Sequence, residues 1–191
     1  MAFLSLTIAS FNCRGLSRAA KQNAVIELAR ARKVDILVLQ ETYVYRLGQI
    51  RSFDATFGTR SYWGYGASGS RGVAIVLMPR FTGSVLRYFR DTYGRLMWID
   101  LDSGIRIVNA YAAGDFRSQK EFFAALDNHL VGPSRVVLVG DFNCVLDPID
   151  RRTFGGTPPK WSDRRGESVL RELVDELGLI DAWRALRPAQ S

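Results

Sequence analysis

The sequence predicts a layered α/β fold with mixed sheets, and three observations predict it. Short, nearly continuous apolar runs, such as residues 34–39 (VDILVL) and 135–139 (RVVLV), read as strands covered on both faces. Segments with apolar residues at helical spacing alternate with these runs. Residues 96–101 and 105–110 flank Asp102-Ser103-Gly104, a hairpin turn that an all-parallel sheet would not contain.

Taken in order, residues 3–11 (FLSLTIASF) read as the first strand. Residues 18–32 read as a helix with Ser17 as N-cap and Ala24, Val25, Leu28 and Ala29 on one face. Residues 34–39 form the second strand. Residues 73–77 follow Gly72 and stop before Pro79, as a buried strand does. The hairpin comes next, then a helix over 118–130 and a strand over 135–139. A helix over 167–177 is ended by Gly178, placed as the left-handed residue after a helix. No repeat, low-complexity segment or linker divides the chain.

The chain has 191 residues, enough for one domain with a sizeable core. At 47% hydrophobic and 24% charged, its composition excludes wholesale disorder. Its apolar runs fall far short of the roughly 20 residues of a membrane helix, so no membrane partner is expected. Residues 1–10 lack the basic start and apolar stretch of a secretory signal. Cys13 and Cys144 form no CxxC pair, and the single His cannot complete an ordinary zinc site, so both thiols are expected to be plain and reduced. Neither GxGxxG nor GxxxxGK is present, which removes dinucleotide and P-loop chemistry. The formal charge of +7 rests on 22 Arg against 4 Lys. Arginine forks onto phosphate oxygens and stacks on flat rings, so an anionic partner, nucleic acid first, is expected.

The chemistry gathers where strands end. Residues 3–11 run into Asn12-Cys13-Arg14-Gly15, and 34–39 into Gln40-Glu41-Thr42. Residues 105–108 run into Asn109-Ala110-Tyr111, and 135–139 into Gly140-Asp141-Phe142-Asn143. Each alone is explained by turn formation. Together they put amides, carboxylates and a phenol at the C-terminal ends of four strands, where open α/β sheets bind ligands. Glu41 and Asp141 are oxygen donors suited to Mg²⁺ or Mn²⁺, with Asn12 beside them. Arg14 can pair bidentately with phosphate, and Tyr111 can donate to it. These are parts needed for phosphodiester hydrolysis.

FNCRG at 11–15, LQET at 39–42, NAY at 109–111 and GDFN at 140–143 together resemble the endonuclease/exonuclease/phosphatase superfamily, over nearly the whole chain. The resemblance implies a four-layer α/β/β/α sandwich of two mixed sheets and Mg²⁺-dependent phosphodiester cleavage. It implies Glu41 as principal metal carboxylate and Asn12 as the metal- and phosphate-proximal amide. Tyr111 would be the active-site tyrosine, Asp141 the residue that positions or deprotonates water, and Asn143 the asparagine beside it. Asn109 and Arg71 would join Arg14 in binding substrate. Arg14 stands where abasic-site enzymes carry aspartate and DNase I-like members arginine. Residues 70–76 (SRGVAIV) and 177–184 (LGLIDAWR) resemble nuclease domains of non-LTR retrotransposons. That implies DNA as partner, a reverse transcriptase downstream in the same polyprotein, and an intracellular, nuclear location.

The family pattern continues to a late Ser-Asp-His that this sequence lacks; Ser162-Asp163-Arg164 lacks the histidine, and His129 is placed near a helix end. The expectation is therefore one domain over 1–191, incomplete at its C-terminus, without the last strands of its second sheet, and poorly active alone. The stretch 43–63, mixing Tyr43, Tyr45, Phe53, Phe57, Tyr62 and Trp63 with Arg46, Arg51 and Arg60, reads either as a loop able to follow DNA or as a solvated loop with its aromatics turned inward. So does the basic run Arg151, Arg152, Lys160, Arg164, Arg165. Three functions stand: a Mg²⁺-dependent DNA endonuclease, a remnant that only binds nucleic acid, and a phosphatase of small phosphate esters.

Overall fold

The computed structural model describes residues 5–66, 70–132, 135–147, 150 and 165–188. They fall into two compact units, Met1–Tyr111 with Gly132–Asp141, and Ala112–Val131 with Phe142–Ser191.

The first unit holds β1 (Ile8–Asn12), α1 (Ala19–Ala31), β2 (Ile36–Gln40), α2 (Leu47–Phe57), β3 (Arg60–Gly64), β4 (Val73–Leu77), β5 (Val85–Arg90), β6 (Leu96–Leu101), β7 (Ile105–Tyr111) and β8 (Arg135–Asp141). They form two four-stranded sheets, ordered β1-β2-β4-β3 and β5-β6-β7-β8. Each sheet has one parallel pair, β1 with β2 and β7 with β8, and its other pairs are antiparallel. The expected α/β class with two mixed sheets is therefore what the chain adopts. Among the described residues β8 ends its sheet, and residues 136–141 are only half-buried.

The continuous apolar strands have a direct cause. Every residue of β2 and β4 is buried, because successive side chains enter two different cores. Ile36, Val38, Val73, Ile75 and Leu77 point between the sheets, against Met97, Ile99, Leu101 and Ile107. Leu37, Leu39, Ala74 and Val76 point the other way, against Val25, Ile26 and Ala29 of α1 and Ile50, Phe53 and Phe57 of α2. Each fully buried aliphatic side chain contributes about 1.5–3 kcal/mol.

The stretch 43–63, expected as a loop, is instead α2 followed by β3. Phe53 meets Phe57 at 5.0 Å and Trp63 at 5.5 Å between ring centroids, so these aromatics build core and are withheld from DNA. The N-cap of α1 is Arg18, not the expected Ser17, and it makes no side-chain cap bond. Among the described residues the first strand is Ile8–Asn12, so it starts later than the expected 3–11 and runs one residue further; residues 3 and 4 lie outside the described residues.

The second unit holds α3 (Phe116–Leu130), α4 (Arg165–Glu176) and α5 (Ala182–Leu186). Asp115 caps α3 by accepting from Ser118 N at 2.9 Å. Helices α3 and α4 pack together, with Phe123, Leu126, Leu170 and Leu173 buried. Gly178 takes φ 60° after α4, as expected. His129 lies in the last turn of α3. The basic run 151–164 and the Ser162-Asp163-Arg164 sequence lie outside the described residues.

Candidate active site

The two parallel pairs end side by side in register, Asn12 opposite Gln40 in one sheet and Tyr111 opposite Asp141 in the other. Below the site the sheets are tied by amides. Asn109 Nδ2 donates to the carbonyls of Leu39 at 2.9 Å and Ala74 at 3.0 Å. Its Oδ1 accepts from Gln40 Nε2 at 2.9 Å, and Gln40 also donates to Ser10 Oγ at 3.1 Å. Asn109 is wholly buried and its amide is engaged by protein, which leaves it no exposed atom for a substrate. Its place is one layer beneath the expected one.

Above that layer, one amide joins two carboxylates. Asn12 Nδ2 donates to Glu41 Oε1 at 2.8 Å and to Asp141 Oδ2 at 2.7 Å. Tyr111 OH donates to Glu41 Oε1 at 3.1 Å. Tyr43 OH donates to Glu41 Oε2 at 2.7 Å. Burial pushes the Glu41 carboxyl up, but the bonds from Asn12, Tyr43 and Tyr111 and the charge of Arg14 outweigh it and hold it below the usual range. Burial first, then the bond to Glu41, pushes the Tyr111 phenol up to about 12. The bond to Glu41 also raises Tyr43.

The backbone is bent to allow this. Arg14, Glu41, Tyr43 and Arg71 have φ of 45°, 53°, 57° and 60°. Such conformations cost about 1–3 kcal/mol each and persist where surroundings over-determine them. Here the loops bind one another: Gly15 N to Glu41 O at 2.6 Å, Leu16 N to Thr42 O at 2.8 Å, Tyr43 N to Arg71 O at 2.9 Å. A Cβ on Gly15 would stand 2.9 Å from Tyr43 Cδ2, so the glycine lets the ring close over this loop. Gly140 is needed more sharply, since a Cβ there would lie 1.8 Å from the carbonyl oxygen of Ala110.

Asn12, Glu41, Tyr111 and Asp141 are thus brought together in the first unit. Arg14 and Arg71 are exposed on its loops, and Arg14 N donates to Asn12 Oδ1 at 3.1 Å. Asn143 belongs to the second unit, where its Nδ2 donates to Ala112 O at 2.9 Å. Sequence reasoning missed Tyr43 as a partner of Glu41; a phenol two residues past a candidate ligand was the available signal. Cys13 is buried, and burial pushes its thiol up to about 11, as expected of an unreactive cysteine.

Residues 9–184 match the model of the Endonuclease/Exonuclease/phosphatase family. The chain belongs to that family. Members of the Endonuclease/Exonuclease/phosphatase family are hydrolytic enzymes of the phosphodiesterase, nuclease and phosphatase kind and generally use divalent metals, and membership is consistent with a hydrolytic enzyme here. It is 27% identical over 191 residues to a 149 kDa Transposon TX1 protein of Xenopus laevis, covering 97% of this chain and 14% of that one. The chain therefore spans about one-seventh of this curated relative. Among solved structures, the 3′-5′ exonuclease NExo of Neisseria meningitidis superposes with TM-score 0.79, at 24% identity, over 96% of this chain and 76% of that one. The endonuclease domain of TRAS1, a telomere-specific non-LTR retrotransposon, gives TM-score 0.59, at 22% identity, over 91% and 72%. These likenesses show the fold. Among the described residues no helix is long and apolar enough to cross a membrane.

The donors of this family member fit a hard divalent cation: every available atom is oxygen, and Glu41 is held ionised. Among the described residues no group of three or more His, Cys, Asp or Glu forms. An ion here would complete its shell with water and substrate oxygens, as Mg²⁺ commonly does.

Proposed function

We propose that this chain is a Mg²⁺- or Mn²⁺-dependent DNA endonuclease domain, of the kind retrotransposons carry to nick target DNA. The observation that carries the reading is the single Asn12 amide within 2.8 Å of Glu41 and 2.7 Å of Asp141. Transposon TX1 relatedness supports a polyprotein setting, with a reverse transcriptase on the same polypeptide and work in the nucleus as parts of the proposal.

A divalent cation held by Glu41 with Asn12 would polarise a phosphate oxygen and steady the charge that builds on it. Asp141 orients the attacking water and takes its proton. Asn12 keeps the two carboxylates apart and aligned. Tyr111 remains a proton donor at neutral pH and keeps Glu41 fixed. Arg14 and Arg71, exposed beside the site, grip flanking phosphates.

Plasmid nicking tests this. Supercoiled DNA should open with Mg²⁺, slowly in keeping with the expected poor activity of the chain alone, and stay closed with EDTA. Glu41→Ala should abolish cleavage while a gel shift shows DNA binding nearly intact. Cleavage unchanged in Glu41→Ala would overturn the proposal. Turnover of small phosphate esters without salt-sensitive DNA binding would favour the phosphatase function instead.

A further inference from the structure

Glu41 accepts three hydrogen bonds, and they are unevenly shared. Oε1 takes Asn12 at 2.8 Å and Tyr111 at 3.1 Å, whereas Oε2 takes Tyr43 alone at 2.7 Å. An ionised carboxylate has about two lone-pair sites on each oxygen, so Oε1 is filled and Oε2 keeps one. Tyr43 cannot easily follow a turning carboxylate. Its backbone sits at φ 57°, its N–H is bound to Arg71 O at 2.9 Å, and its ring lies against Gly15.

Resting on the metal reading above, we infer that Tyr43 is a positioning residue that makes Glu41 a one-point ligand and so biases the site toward Mg²⁺ and Mn²⁺ over Ca²⁺. Mg²⁺ demands near-ideal octahedral geometry and takes one or two carboxylates, while Ca²⁺ accepts flexible, often two-point carboxylates. A carboxylate pinned at both oxygens with one lone pair open suits the first. Without the phenol, Glu41 is held at Oε1 only. It can pivot about that oxygen and accommodate the larger ion. Partners that orient a ligand from behind commonly change metal affinity by about 10–100-fold.

The test uses the 191-residue chain loaded with Tb³⁺, displaced by Mg²⁺ or by Ca²⁺, in wild type, Tyr43→Phe and Glu41→Gln. Phenylalanine keeps the ring on Gly15 and removes only the hydroxyl, so a purely structural role predicts no change. The expected result is a Mg²⁺ dissociation constant about tenfold higher in Tyr43→Phe, with Ca²⁺ changed less than about threefold. An unchanged Mg²⁺ to Ca²⁺ ratio, with ion binding lost in Glu41→Gln, overturns the role of Tyr43 alone. Ion binding absent in wild type, or undiminished in Glu41→Gln, overturns the metal reading itself. Should Tyr43→Phe fail to fold, infrared spectra of the wild type decide. Mg²⁺ should widen the carboxylate stretch splitting of Glu41, as one-point coordination does, and a narrowed splitting overturns the inference.

Discussion

Asn12 Nδ2 lies 2.7 Å from Asp141 Oδ2, although 129 residues separate them in the chain and they end strands of different sheets. The same nitrogen reaches Glu41, so both of its protons are spent on carboxylates. Like charges this close repel unless something lies between them. Asn12→Ala should therefore cost more than a lost contact. We expect DNA nicking to fall about 10²-fold or more, the scale of removing one organised donor, while the melting temperature moves only a few degrees. Single-turnover nicking beside a thermal melt measures both. A near-normal rate would mean that the amide does not organise the carboxylates.

The GDFN motif has a steric reason as well as a chemical one. Gly140 pairs with Ala110 in the parallel β7–β8 ladder, and its missing side chain is what allows the Ala110 carbonyl to approach. Gly140→Ala must push the strands apart directly before Asp141. Destabilisation above about 3 kcal/mol is expected, in the range reserved for core clashes and backbone strain. Urea unfolding of the variant gives the number, and a loss under about 1 kcal/mol would contradict the register.

The outer face of the second sheet carries a buried charge pair that sets acid stability. Arg106 holds Asp100 through Nε at 2.7 Å and Nη2 at 2.9 Å, and Arg87 adds a bond at 2.9 Å. The Arg106 guanidinium lies 3.8 Å from the centre of the Trp98 ring. The bond from Arg106 outweighs burial and holds the Asp100 carboxyl below its ordinary value. A lowered native pKa means that the unfolded chain binds the proton more readily. The stabilisation is therefore complete above the unfolded value of about 3.9 and is lost as pH falls through the lower native value. Urea midpoints between pH 7 and pH 2.5 should drop on the acid side. In Asp100→Asn that part of the drop should vanish, while stability at pH 7 is already lower by about 3–5 kcal/mol.

How far the sequence could be read follows from what each element depends on. β4 and β6 start and stop where the pattern puts them: β4, buried on both faces, is apolar throughout, and β6 departs from that chiefly at Asp100, which pairs with Arg106. The strand-end polar groups were visible because they interrupt such runs. α2 escaped notice: its N-cap is Arg46, whose N–H is held by Gln49, without the Ser, Thr, Asp or Asn that announces a helix. β5 is an exposed edge strand, so its sequence alternates weakly. Asn109 is a substrate contact by its place in the motif and a buried tie between the sheets in the structure, because position in a motif does not tell a rim from a floor. Tyr43 meets Glu41 only because both residues adopt left-handed backbone, and no periodicity encodes that.

Tyr111 gives the last prediction. Its phenol donates to Glu41 Oε1 and, pushed up to about 12, stays protonated throughout the range in which DNA cleavage is ordinarily measured. Its contribution is then a fixed hydrogen bond rather than a titrating acid. Tyr111→Phe should slow nicking by about 10–10²-fold, since Asn12 and Tyr43 still hold the carboxylate. The shape of the rate profile between pH 6 and pH 10 should not change. A rise in the wild-type rate that ends below about pH 10, and is absent from Tyr111→Phe, would mean that the phenol ionises during turnover and that its bond to Glu41 is not what keeps it protonated.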